Sequence, residues 1–178
     1  MTTAELLADA LGRIREVVHA AVSGLTPEQL AFRPNGTANS IGWLVWHLAR
    51  VQDDHVAGAA GAGQVWIAQG WASRFDLPFD AAAIGYGQSS DQVGAVQVES
   101  ADLLIGYYDA VHEQSVRYVG GLADADLDRI VDERWDPPVA LGVRLVSVLS
   151  DDLQHAGQAA YLRGLVTAEA ARQAAPGR

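Results

Sequence analysis

The feature that most limits the folds open to this chain is a spacing of three and four between apolar residues, repeated in four separate segments, with no convincing strand alternation among them. Between Thr3 and Val22 it is carried by Leu7, Leu11, Ile14, Val18, Ala21 and Val22, which share one face of a helix. From Ile41 to about Ala57 it is carried by Ile41, Leu44, Val45, Leu48 and Val51; Asn39 or Ser40 is the cap, and the glycines of 58–63 are the stop. A third pattern starts at a cap offered by Ser89 or Ser90 and continues through Ala101, Leu104, Ile105, Tyr108, Val111, Ser115 and Val119. The residues leave open whether this is one long helix or two, broken near 97–100. The fourth begins near Leu141 without a strong side-chain cap and closes on Gly164, a residue suited to a helix C-terminus. Thr26-Pro27-Glu28-Gln29 adds a capping box and a short helical turn.

These segments predict an all-α four-helix bundle forming a single domain over residues 1–167, followed by a frayed tail at 168–178. A long connection, from Gln64 to about Ser89, joins the second and third core helices and carries Trp66, Trp71, Phe75, Phe79 and Tyr86. Connections of this length are functional or pack as an outer layer, and these aromatics are expected to cover one end of the bundle. The 178 residues suffice for one core.

Composition narrows the function. A net charge of −10 without any run of arginines argues against nucleic-acid binding. No apolar run approaches the roughly 18 residues of a membrane span, and the first residues lack a signal-peptide profile, so a cytoplasmic protein without membrane contact is expected. All twelve basic residues are arginine, amid abundant alanine and glycine, the usage of a GC-rich genome and suggestive of an actinobacterial source. Cysteine is absent, so any thiol chemistry would use a thiol brought in as substrate.

The chemistry concentrates in the last helix. Asp151 and His155 are one turn apart, about 6 Å in rise and about 40° in rotation, so both can reach one ion. His47, on the flank of the second helix's stripe, is the candidate third ligand. Arg144, Val148, Asp151, His155, Gln158 and Leu162 form one narrow stripe, only partly apolar. A carboxylate buried there needs a cation, either a metal or a partner within a buried Asp–Arg or Asp–His pair. Asp152 competes with Asp151 as the carboxylate ligand, since it lies three residues before His155, although di-metal bundles need inward glutamates that this chain lacks. Gln158 and Asp54 can orient the ligating imidazoles. Arg144 could hold a carboxylate of a substrate or form a salt bridge within the bundle. Arg163 is expected to serve the helix C-terminus. His19 reads as structural. His112 reads as a core histidine or as the extra ligand that would close a structural site.

The runs Trp46-His47-Leu48-Ala49, Asp151-Asp152-Leu153-Gln154-His155-Ala156-Gly157-Gln158 and Tyr161-Leu162-Arg163-Gly164 resemble the DinB/YfiT-like metalloenzyme superfamily. The likeness is closest to its mycothiol-dependent branch, which includes the N-terminal domain of mycothiol-dependent maleylpyruvate isomerase and the mycothiol S-transferases. The resemblance implies a four-helix bundle holding one divalent metal through a histidine of the second helix and a pair on the last. His47 and His155 match the family histidines; Asp151 stands where the isomerase branch has a glutamate, one methylene longer. Zinc as the metal, mycothiol as the thiol cosubstrate, an electrophilic small-molecule acceptor and a homodimer are further expectations of the likeness. Two imidazoles and one carboxylate leave a divalent ion with a charge of about +1 and an open position. A thiolate there neutralises the ion and becomes nucleophilic near neutral pH, so no side chain of the protein is expected to be the nucleophile. The expected function is a metal-dependent thiol S-transferase in which metal-bound thiolate attacks an electrophile, for detoxification or isomerisation. The alternatives are a metal hydrolase using bound water and a non-catalytic, stress-associated bundle.

Overall fold

Helix α1 (Thr3–Val22) starts at a capping box in which Thr2 accepts from Glu5, and buries all six residues of its apolar repeat. Helix α2 (Pro27–Ala31) follows from the second capping box, Thr26 with Gln29. Ser40 caps α3 (Ile41–Ala60), and Gly61, in the left-handed region at φ 63°, ends it. Two short helices, α4 (Val65–Ala68) and α5 (Trp71–Phe75), lie in the long connection. The third repeat is two helices, not one: α6 (Ser90–Gly94) ends at Ala95, and α7 (Ala101–Gly120) restarts where Ser100 accepts from the Leu103 amide. A 3-10 turn (Asp124–Asp128) and a small antiparallel hairpin, β1 (Ile130–Asp132) with β2 (Val139–Ala140), lead into α8 (Leu141–Ala174). The hairpin was not expected; strands of three and two residues are too short for alternation to register. The computed structural model describes residues 1–174.

Helices α1, α3, α7 and α8 form the bundle, with α1 and α3 diagonally opposed and each packed against both α7 and α8. The all-α bundle expectation therefore holds. Gly164 does not end α8, which continues to Ala174 because Val166, beyond that point, remains buried. Helix α8 thus spans 168–174, and the remainder of the expected tail, 175–178, lies outside the described residues. Arg163 also departs from expectation: its guanidinium reaches across to the carbonyls of Ala21 and Ser23 (3.2 and 2.8 Å), so it serves the C-terminus of α1, not that of its own helix.

The connection packs as a layer. Trp66, Trp71 and Phe75 are buried around Trp46 and Tyr107, while Tyr86 stays exposed. Beneath them Arg50, fully buried, reaches the carbonyl of Ala83 (3.2 Å) and the side chain of Gln64 (3.0 Å). It also pairs with buried Asp53 at 3.5 Å. Asp53 in turn accepts from the backbone amides of Val65 and Trp66, both 2.8 Å, at the start of α4. Burial raises the pKa of Asp53 and these donors oppose the rise. A buried pair is tolerated when its remaining hydrogen-bonding capacity is met; here the partners that meet it are backbone groups of the connection, which fixes that segment over α3.

Candidate metal centre

His47 sits mid-helix on α3 with little exposure, its ring stacked on Trp43 at 4.6 Å between centroids. Its Nδ1 bonds the carbonyl of Ile84, in the fixed connection. A ring nitrogen facing a carbonyl must be the donor, so Nε2 keeps its lone pair. His155, on α8, bonds the side-chain oxygen of Gln158 through its Nδ1 at 2.9 Å, which leaves its Nε2 free by the same logic. The two rings meet edge to face at 5.0 Å between centroids. Asp151 completes the group, with Oδ1 3.6 Å from His155 Nε2. The three potential ligand atoms lie within 4.8 Å of one another; zinc bonds of about 2.0–2.1 Å in tetrahedral geometry put ligands roughly 3.3 Å apart.

The electrostatics match the geometry. Burial pushes the His47 imidazole down from its ordinary value, towards the neutral form that binds metals. Burial opposes ionisation of Asp151, but the adjacent imidazole of His155 outweighs it and holds the carboxyl below its usual value. The neighbouring carboxylate of Asp151 pulls His155 upward against burial. Two imidazole nitrogens and the Asp151 carboxylate, whose Oδ2 is buried without a protein donor among the described residues, form a donor set that fits a divalent ion.

Residues 6–168 match the family model of the mycothiol S-transferases. The chain belongs to that family. Its fold is that of the DinB/YfiT-like bundles: over 94% of its length and 99% of the other chain it is similar to the crystal structure of a conserved protein from Enterococcus faecalis, with a TM-score of 0.87 at 28% identity. No curated protein matches the chain significantly. Among the described residues, no helix of this family member is long and apolar enough to cross a membrane.

Asp152 does not face the histidines. It lies in the core seam of α8, between Val148 and Ala156, fully buried and with neither oxygen meeting a protein donor among the described residues. Burial, with Asp151 beside it, pushes its carboxyl well above the ordinary range, which favours the neutral acid. His112 is not part of the group either; it packs near Tyr108 on α7. His19 bonds Asp109 at 2.7 Å next to Arg15, a structural contact between α1 and α7. Asp54 orients neither imidazole, because both Nδ1 atoms are already engaged; it accepts from Gln64 at 2.8 Å and lies 3.4 Å from His55. Arg144 pairs with Asp132 of the hairpin at 2.8 Å, the salt-bridge alternative.

Three contributors escaped the sequence reading. The Ile84 carbonyl has no side-chain signature. Trp43 stacks on His47 while its indole N–H donates to Gln88 (2.7 Å). Gly85, at φ 91°, passes so close that a Cβ there would stand 2.7 Å from His47 Nδ1; a glycine among aromatics in a long connection was its only trace.

Proposed function

We propose that this protein joins the sulfur of mycothiol to an electrophilic small molecule at a divalent-metal centre made by His47, Asp151 and His155. The reading is carried by one observation: both imidazoles are tied through Nδ1, so that both Nε2 atoms and the Asp151 carboxylate converge with no fourth protein ligand among the described residues. A structural zinc is closed by four protein ligands, whereas a catalytic one keeps a position open.

A divalent ion held there, with zinc the first candidate, would supply the Lewis acidity that makes a thiol nucleophilic near neutral pH. The residues themselves do the rest. Ile84 and Gln158 keep the rings in one tautomer and one orientation. Trp43 covers the imidazoles on one side, and the partly exposed Asp151 marks the side open to substrates. An S–C bond forms as the acceptor's leaving group departs with the bonding pair, the thiol proton leaving to solvent, or as its activated double bond opens and the carbon that receives the pair takes a proton from solvent in place of the one the thiol gave up. Because the chain has no cysteine, the sulfur must come from the cosubstrate.

The test is turnover of a fluorogenic alkylating acceptor by zinc-loaded protein with and without mycothiol. Product formation that requires both metal and thiol is expected. Turnover without thiol would replace the transferase by a hydrolase, and inertness under all conditions would leave a non-catalytic bundle.

A further inference from the structure

Two pockets of different chemistry lie along the seam of α3 and α8, on either side of the candidate centre. At one end, beyond Gln158, the walls are Ala38, Leu44, Tyr161 and Leu162, with Asn39 at the rim. At the other, Asp54 and His55 of α3 face Asp132, Arg134 and Arg144. Arg144 is seven residues before Asp151, about 10.5 Å along the helix and on nearly the same face. Gln158, which bonds His155, lines the first pocket, and His55, whose charge bears on Asp151, lines the second, so the two flank the metal group.

The polar end carries two carboxylates and two guanidinium groups, and burial pushes His55 towards its neutral form. Its formal charge is therefore close to zero, yet it is dense in donors and acceptors set side by side. Such a surface suits a neutral ligand with adjacent hydroxyls, each able to donate to an aspartate and accept from an arginine. An apolar group there would strand all five side chains.

Building on the function proposed above, the geometry points to a fixed direction for the two substrates: the sugar-like half of the thiol lies in the pocket of Asp54, His55, Asp132, Arg134 and Arg144, and the apolar part of the acceptor lies against Leu44, Tyr161 and Leu162. Mycothiol is an N-acetylcysteinyl amide of a glucosaminyl-inositol, so its sulfur is at one end and its hydroxyls are at the other. With the sulfur at the metal group, the amide and two rings extend along α8 towards Arg144. Arg134, whose side chain is 85% exposed, is held by Asp132 at 2.9 Å at the rim of that pocket, where it can meet them.

Calorimetric binding to the zinc-loaded protein decides the matter, with mycothiol, N-acetylcysteine and glutathione as probes. Arg134→Ala, at an exposed side chain, should weaken mycothiol binding about tenfold, as expected for a lost charge-assisted hydrogen bond, and leave N-acetylcysteine unchanged; glutathione should bind the wild type more weakly than mycothiol. Tyr161→Ala should leave mycothiol affinity unaltered and raise KM for an aryl acceptor. Equal mycothiol affinity in Arg134→Ala and wild type, or an equal loss for N-acetylcysteine, would overturn the orientation. Binding is read without turnover, so a protein that binds mycothiol through Arg134 but transfers nothing would refute the transferase and keep the pocket.

Discussion

Two neighbouring aspartates on α8 have opposite fates, and a 100° step of the helix decides them. Asp151 faces two imidazoles, which hold its carboxyl below the ordinary value; Asp152 is fully buried, which pushes its carboxyl well above it. Asp151→Ala and His155→Ala should each abolish stoichiometric zinc binding while helicity persists, because neither side chain belongs to the apolar core; metal analysis after gel filtration, alongside circular dichroism, checks this. Asp152→Ala should retain the metal and gain about 1 kcal/mol of stability in urea unfolding, since a buried acid without a partner is removed. Loss of zinc from that variant would mean that the wrong aspartate has been assigned. Gly85→Ala should weaken zinc affinity about 10–100-fold in a chelator competition, the usual effect of disturbing a ligand's supporting contact, because the added carbon collides with His47 Nδ1.

At the scale of elements, the four core helices were readable because each buries a face whose period shows in the sequence, and α1 hides its whole repeat without exception. His47, Asp151 and His155 were readable as a set because helical spacing and chemistry agree. What holds them was not. The Ile84 carbonyl is a backbone atom presented by a segment with no period, and its position depends on Arg50, read as part of a helix and found to be a buried anchor for the connection. The end of α8 was misjudged because Gly164 is a local signal overridden by burial of Val166. Arg163 shows the same override: removing it should loosen the α1–α8 junction by about 1–2 kcal/mol in chemical denaturation, because two carbonyls at the end of α1 lose a charged donor.

The whole molecule should be sensitive to acid. Burial opposes ionisation of Asp109, but hydrogen bonds from Arg15 and His19 prevail and hold its carboxyl below 3.8; Asp132 is held far lower by Arg134, with Arg144 adding to the effect. Folded values below the unfolded ones mean stability that is complete above about pH 4 and lost as the pH falls through the folded values. Melting temperatures measured from pH 5 to 2 should fall steeply, and less steeply in Asp109→Asn; an unchanged slope would contradict this assignment. The clamp on His47 also bears on how such a protein can drift over generations. A peptide oxygen is offered by every residue type, so position 84 can change its side chain freely without releasing the ring. The next position tolerates only hydrogen, so relatives that keep this centre should show variability and strict constancy side by side, at consecutive places in the chain.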